Sequence, residues 1–187
     1  YDARAHGQSG GEYCTFGHHE KEDVQAVVSA ILAYDSKTTI GIWASSMGAA
    51  VALQALAIEP RIQFGVIEST FTQLSEIVYQ YQKRYCLGIG LRFASNRALT
   101  LAGRIANFNP YQIQPIDACK QIQQPILMNH GDADQHINIR YGKQLFEALA
   151  SKEKTFYTVE GAGHTNLYTI GGEAYYKNTL NFIAAHF

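Results

Sequence analysis

The stretch Trp43-Ala44-Ser45-Ser46-Met47-Gly48 decides how this chain is read. Before it, Thr38 to Trp43 has the apolar character of a buried strand; after it, Met47 to Ile58 is an apolar helical stretch interrupted by Gln54. A serine set between small residues at such a junction fits a strained strand-to-helix turn that presents its hydroxyl as a nucleophile. In that turn the residues two before and two after the serine must be small, and Ala44 and Gly48 meet that need in the pattern A-x-S-x-G. The backbone N–H of Met47, the next residue, is the expected donor to a developing oxyanion. On its own the pentapeptide also fits an ordinary turn of an α/β protein.

Two later segments supply the groups that such a serine needs. Pro125-Ile-Leu-Met-Asn-His130-Gly131-Asp132-Ala133-Asp134 is an apolar strand running into a polar turn, with Asp134 just past its end. Phe156-Tyr-Thr-Val-Glu160-Gly161-Ala162-Gly163-His164 is a second strand, whose exit loop carries two glycines and a histidine. Each candidate group thus stands at the carboxyl end of a strand, where open α/β sheets build their sites. A serine hydroxyl is a weak nucleophile at neutral pH and needs a base to take its proton, a role that suits a histidine. A carboxylate on the other ring nitrogen fixes the tautomer and stabilises the imidazolium, so Ser46 is expected as nucleophile, His164 as base and Asp134 as its orienter.

With the order serine, acid, histidine, the chain resembles the α/β-hydrolase superfamily, in the branch of small bacterial-type esterases and serine aminopeptidase-like hydrolases. The likeness includes Asp2-Ala-Arg4-Ala-His6-Gly7-Gln-Ser9-Gly10, similar to a D-x-R-x-x-G-x-S segment of that branch, and Gly17-His-His-Glu20-Lys-Glu-Asp23, similar to its G-x-x-E-x-x-D segment. The resemblance implies architectural roles for Arg4, Glu20 and Asp23. It also favours Asp134 over Asp132 as the acid, through its H-G-x-x-D pattern, leaving Asp132 to shape the turn. Ala44 for the usual glycine and Ile137 for the common valine after the acid are mild departures.

The resemblance further implies a second oxyanion donor from a loop ahead of the D-x-R segment, and a strand beside the nucleophile strand. Neither is found in the sequence, so the fold is expected to be truncated at its amino end. The strand Thr38 to Trp43 is then expected at an open edge, covered by a further segment or by a homo-oligomeric partner. Loss of one oxyanion donor typically costs about 3 kcal/mol of transition-state stabilisation. A non-catalytic domain acting in binding or assembly is therefore the competing expectation.

The 187 residues are 47% hydrophobic with a net charge of -1, which suits one domain with a sizeable core and offers no basic stripe for nucleic acid. Cys14, Cys86 and Cys119 are odd in number and widely spaced, arguing against a disulfide framework and for a reducing, cytoplasmic compartment. No stretch has the length of a membrane span.

The periodicity predicts α/β alternation in a mostly parallel sheet flanked by helices: helix His19 to Tyr34, strand Thr38 to Trp43, the helix after the turn, and strand Ile62 to Ser69. A strand near Pro125, helix Ile139 to Ala150, strand Thr155 to Val159 and a closing helix Glu173 to His186 follow. Within this single catalytic domain, 1–187, the alternation lapses at 71–111. Helices Gln73 to Tyr85 and Leu91 to Asn107, joined by Leu87-Gly88-Ile89-Gly90, are expected there as a cap over the site. Tyr79, Tyr85 and Phe93, with Tyr81 and Phe108, are its candidate substrate-binding aromatics, against a bland reading as packing residues.

His6, His18 and His19 lack a Cys or carboxylate at ligand spacing, so no metal site and no organic cofactor are expected. His136 is a rival base only if the His164 loop misses Ser46, and Glu68 is an alternative acid that reads better as structural. The expected chemistry is hydrolysis of a small-molecule ester, thioester or amide through an acyl group on Ser46.

Overall fold

Apolar runs of five or six residues alternate with longer periodic stretches, so strands pair side by side while helices return the chain to the same end of the sheet. The computed structural model describes residues 1–187. Its elements are α1 (Glu20–Tyr34), β1 (Gly41–Ser45), α2 (Ser46–Leu56), β2 (Phe64–Glu68), α3 (Leu74–Tyr85), α4 (Arg92–Ile105), α5 (Pro115–Cys119), β3 (Ile126–Gly131), α6 (Ile139–Ala148), β4 (Lys154–Val159) and α7 (Leu167–His186). The four strands lie in the order β1-β2-β3-β4 and every neighbouring pair is parallel. Ser45 stands opposite Glu68, and Glu68 opposite Asn129, so the carboxyl ends of the strands are level.

Period-two alternation divides the sheet into two faces. Ile67, Ile126 and Met128 enter one core with Val24 and Val28 of α1 and Ala49, Leu53 and Leu56 of α2. The opposite face of β2 and β3 meets α7. The Tyr175 hydroxyl donates to buried Glu68 at 2.5 Å, Asn129 Nδ2 donates to both Glu68 and Thr179, and the Phe64 ring packs edge-on against Phe182. Glu68 thus holds α7 to the sheet, in keeping with a structural part. Strand β1 pairs only with β2, and Trp43, in register with Val66 and so on the α7 side of the sheet, is 47% exposed at this edge.

Several boundaries depart from the expected ones. The nucleophile-side strand begins at Gly41, not Thr38, and runs to Ser45, while the last strand begins at Lys154. The closing helix starts six residues early, because Leu167 to Gly171 form a turn of helix that Gly172, at φ 49° and ψ −139°, kinks away from the remainder. The glycine pair ahead of Glu173 is thus an internal break in a longer helix. The short helix α5 and the 3₁₀ turn Pro110–Gln112 carry too few residues to show a period.

The segments before α1 are tied down by two carboxylates. Arg4 forms a two-pronged pair with Asp23, both contacts at 2.6 Å. Glu20, almost fully buried, accepts from the Thr15 N–H and hydroxyl and the Gly17 N–H at 2.6 to 2.7 Å. That turn sets Phe16 at φ 55°, with its carbonyl accepting from Gln54 Nε2 on α2. Gly17, at φ 105°, is required there, since a Cβ would overlap the same Gln54 amide.

Burial opposes the charge on Glu20, but the three donors outweigh it and hold its pKa below the ordinary value. A depressed carboxylate stabilises the fold above its unfolded pKa and loses that contribution as pH falls through the folded one. Glu20→Gln is therefore expected to lower unfolding free energy by about 2 kcal/mol at neutral pH. Urea titrations should show the gap between the two proteins narrowing on acidification below about pH 4.5.

Candidate active site

Ser46 opens α2 with φ 55°, the left-handed region that a β-carbon disfavours by roughly 1 to 2 kcal/mol. The strain lifts the side chain out of the β1 line and aims it along the carboxyl edge of the sheet. A Cβ added at Gly48 would meet only Ala44 Cβ, at 3.9 Å, so this crossing asks for a small residue and not for glycine in particular. Met47 follows at the amino end of α2, among the N–H groups that a helix leaves without an internal acceptor.

Asp134 lies in the turn after β3 and is fully buried. Its Oδ1 accepts the backbone N–H groups of His136 and Ile137, both at 2.8 Å, and its Oδ2 accepts from His164 Nδ1 at 2.8 Å. With Nδ1 donating, His164 Nε2 is left to accept the Ser46 hydroxyl, which lies 2.8 Å away. The three expected residues, 118 positions apart at the extremes, thus form one unbroken line of hydrogen bonds. Burial opposes ionisation of Asp134, yet the histidines and the Ile137 N–H hold its pKa far below the usual carboxylate range. His130 contributes by proximity: its Nε2–H goes to the Ile137 carbonyl at 2.8 Å and stands 3.5 Å from Asp134 Oδ2.

Two loops must meet for this line to form. The Asp134 turn and the His164 loop touch directly, with Ala133 N–H donating to the Ala162 carbonyl at 3.0 Å and Asp132 Oδ1 accepting from Gly161 N–H at 2.7 Å. Asp132 therefore ties the turn and takes no place in the line. Asn166 Oδ1 accepts from Gly163 N–H at 2.6 Å and closes the loop behind His164. The His136 ring lies 5.4 Å from that of His164 but has no bond to Ser46.

Beside Ser46 is an apolar cavity of about 280 Å³ whose walls include Phe16, Phe71, Leu74, Ile77, Val78 and Tyr81. A smaller polar cleft of about 210 Å³ lies on the His164 side and is bounded by Arg84, Gln135, His136 and Asn166. Of the aromatics expected to bind substrate, Tyr81 alone faces the cavity. Tyr85 and Phe93 are largely exposed, and Tyr79 is covered by the Arg92 guanidinium 4.0 Å above its ring. The physical reason is helical phase: Leu74, Ile77, Val78 and Tyr81 follow the i, i+3, i+4, i+7 spacing of one face of α3, and Tyr79 does not. His18 packs against His19 and Phe108, and no group of three His, Cys, Asp or Glu side chains is arranged to hold a metal.

Residues 12–187 match the prolyl oligopeptidase family. The chain belongs to that family. This family member shares its fold with the Pyrococcus furiosus esterase Pf2001 at a TM-score of 0.78 and 22% identity, over 99% of this chain and 69% of that one. The α/β-hydrolase resemblance and the parallel α/β fold are thus established. Among curated proteins it is similar to YqkD of Bacillus subtilis (strain 168), 29% identical over 98% of this chain and 60% of the relative. It is also similar to the alpha/beta hydrolase domain-containing protein WAV2 of Arabidopsis thaliana, 25% identical over 77% of this chain and 46% of the relative. The chain therefore spans about half to three-fifths of the length of these two.

Gly131 is where the two loops press closest, and a Cβ there would overlap the Ala162 carbonyl oxygen. Gly131→Ala is expected to cost about 1 to 3 kcal/mol through overpacking. Chemical denaturation measures the loss, and an unchanged midpoint would show that the loops are not packed as described.

Proposed function

We propose that this chain is a serine hydrolase of carboxylesterase type, cleaving small-molecule esters through an acyl group carried on Ser46. The observation that carries this reading is the Ser46–His164–Asp134 line, with both links at 2.8 Å, set at the wall of an apolar cavity. His164 takes the hydroxyl proton as Ser46 Oγ attacks the acyl carbon. Asp134, held ionised, keeps the ring in the right tautomer and stabilises the imidazolium. The Met47 N–H donates to the oxyanion, aided by the amino end of α2. His164 then returns the proton to the leaving group, and water repeats the sequence to release the acid.

The residues to either side divide the substrate. The acyl chain fits the Phe16, Phe71, Leu74, Ile77 and Val78 walls, and the polar leaving group fits the cleft beside His164 and Arg84. We read 1–187 as one catalytic domain in which 71–111 is a cap whose α3 contributes the acyl wall. The likeness to the esterase Pf2001 supports an ester over the thioester or amide that the same steps would serve. Three unpaired cysteines, with no disulfide among the described residues, support a cytoplasmic setting.

Release of p-nitrophenol from short- and medium-chain esters tests the proposal. Ser46→Ala and His164→Ala are each expected to reduce kcat by about 10³-fold or more, and the double variant to be little worse than either, because the members act as a unit. Additive losses, or turnover that survives Ser46→Ala, would overturn it. Val78→Trp, which fills the cavity, is expected to lower kcat/KM for a medium-chain ester by about tenfold while sparing acetate. An equal fall for both would remove the acyl wall from α3.

A further inference from the structure

The connection from α3 to α4 is apolar, basic and open to solvent at once. Tyr85, Leu87, Ile89, Leu91 and Phe93 are each more than half exposed, with Leu87 at 96% and Phe93 at 80%. Leu101 extends the exposed surface along α4, eight residues beyond Phe93 and thus toward its side of the helix, and Ile105 is exposed about a third of a turn round from Phe93. The chain as a whole is net -1, yet residues 77–116 contain Lys83, Arg84, Arg92, Arg97 and Arg104 and no Asp or Glu. Arg92 is paired with Glu76, and Arg84 donates to the Gln135 carbonyl; Lys83, Arg97 and Arg104 have no carboxylate within salt-bridge reach.

Packing does not select these side chains, because they touch little. Backbone preference does not select Leu87 either, since it holds φ 53°, where glycine is favoured and a branched residue is strained. A leucine kept in that conformation at nearly full exposure is accounted for by something outside the fold. Exposed apolar residues set among cations suit the boundary of a bilayer, where the apolar groups enter the acyl region and Lys and Arg remain among the headgroups. A second copy seated on the same patch would oppose cations to cations, which disfavours a symmetric dimer.

We propose that the α3–α4 tip, from Lys83 to Phe93, together with the exposed Arg97, Leu101 and Arg104 side of α4, docks this protein on membrane surfaces rich in anionic lipid. No helix is long and apolar enough to cross a membrane, and the contact proposed is made by these surface side chains. It stands apart from the chemistry proposed for Ser46.

Flotation of the full chain with vesicles of phosphatidylcholine alone, or with phosphatidylglycerol added, tests it. Binding is expected to the anionic vesicles only and to weaken as salt rises. Each of Arg97→Gln and Arg104→Gln is expected to weaken it about fivefold, and Leu87→Ser with Ile89→Ser to weaken it further. Because these positions are exposed, unchanged thermal unfolding checks that the variants fold. Failure to bind anionic vesicles, or binding indifferent to all four substitutions, overturns the proposal. So does a concentration-dependent dimer that Leu87→Ser with Ile89→Ser dissolves, since a second copy would then cover the tip.

Discussion

A buried carboxylate held by three N–H donors is the constraint on which the carboxyl edge of the sheet depends. Asp134 has no exposed side-chain surface, and an isolated charge there would cost several kcal/mol. Two N–H groups from its own turn and one from the His164 ring satisfy it. The turn cannot relax without unpairing a charge, and the histidine cannot swing away without doing the same. The His164 loop is thereby fixed over β1, within hydrogen-bond distance of a serine that is itself held in a strained conformation. Strain at Ser46 and charge burial at Asp134 both oppose folding, and the parallel sheet and its two faces of apolar packing offset them.

Much of the fold was legible because parallel strands buried on both faces read as unbroken apolar runs. The apolar cores Phe64 to Ile67 and Ile126 to Met128 have that character, and the observed strands contain them. The errors have local causes. Thr38 to Ile40 are as β-prone as the strand they precede, yet they lie ahead of its pairing with β2, which starts at Gly41 opposite Phe64. The turn before Gly172 was hidden because two adjacent glycines mark a stop far more often than a kink.

For the site, the legible part was the part fixed by chain order: a small-residue turn, an acid after one strand and a histidine after the next. The acyl-side cavity was less visible because helical phase, and not aromatic character, decides which α3 side chains face it. Leu74, Ile77, Val78 and Tyr81 announce a face in their spacing alone, and that face is the wall beside Ser46. Phe16 and Ile137 carry no such signal. Phe16 reaches the cavity through the Glu20-held turn, and Ile137 through the turn that encloses Asp134. His130, too, acts through a carbonyl seven residues on, a contact that no spacing rule reveals.

The proposed chemistry rests on Ser46 being an activated nucleophile and not merely a serine near a histidine. Intact-mass spectrometry after exposure to a fluorophosphonate, followed by peptide mapping, reads this directly. A single phosphonyl adduct on Ser46, absent from the His164→Ala protein, is the predicted result. A folded protein that takes no adduct, or takes it elsewhere, would contradict it.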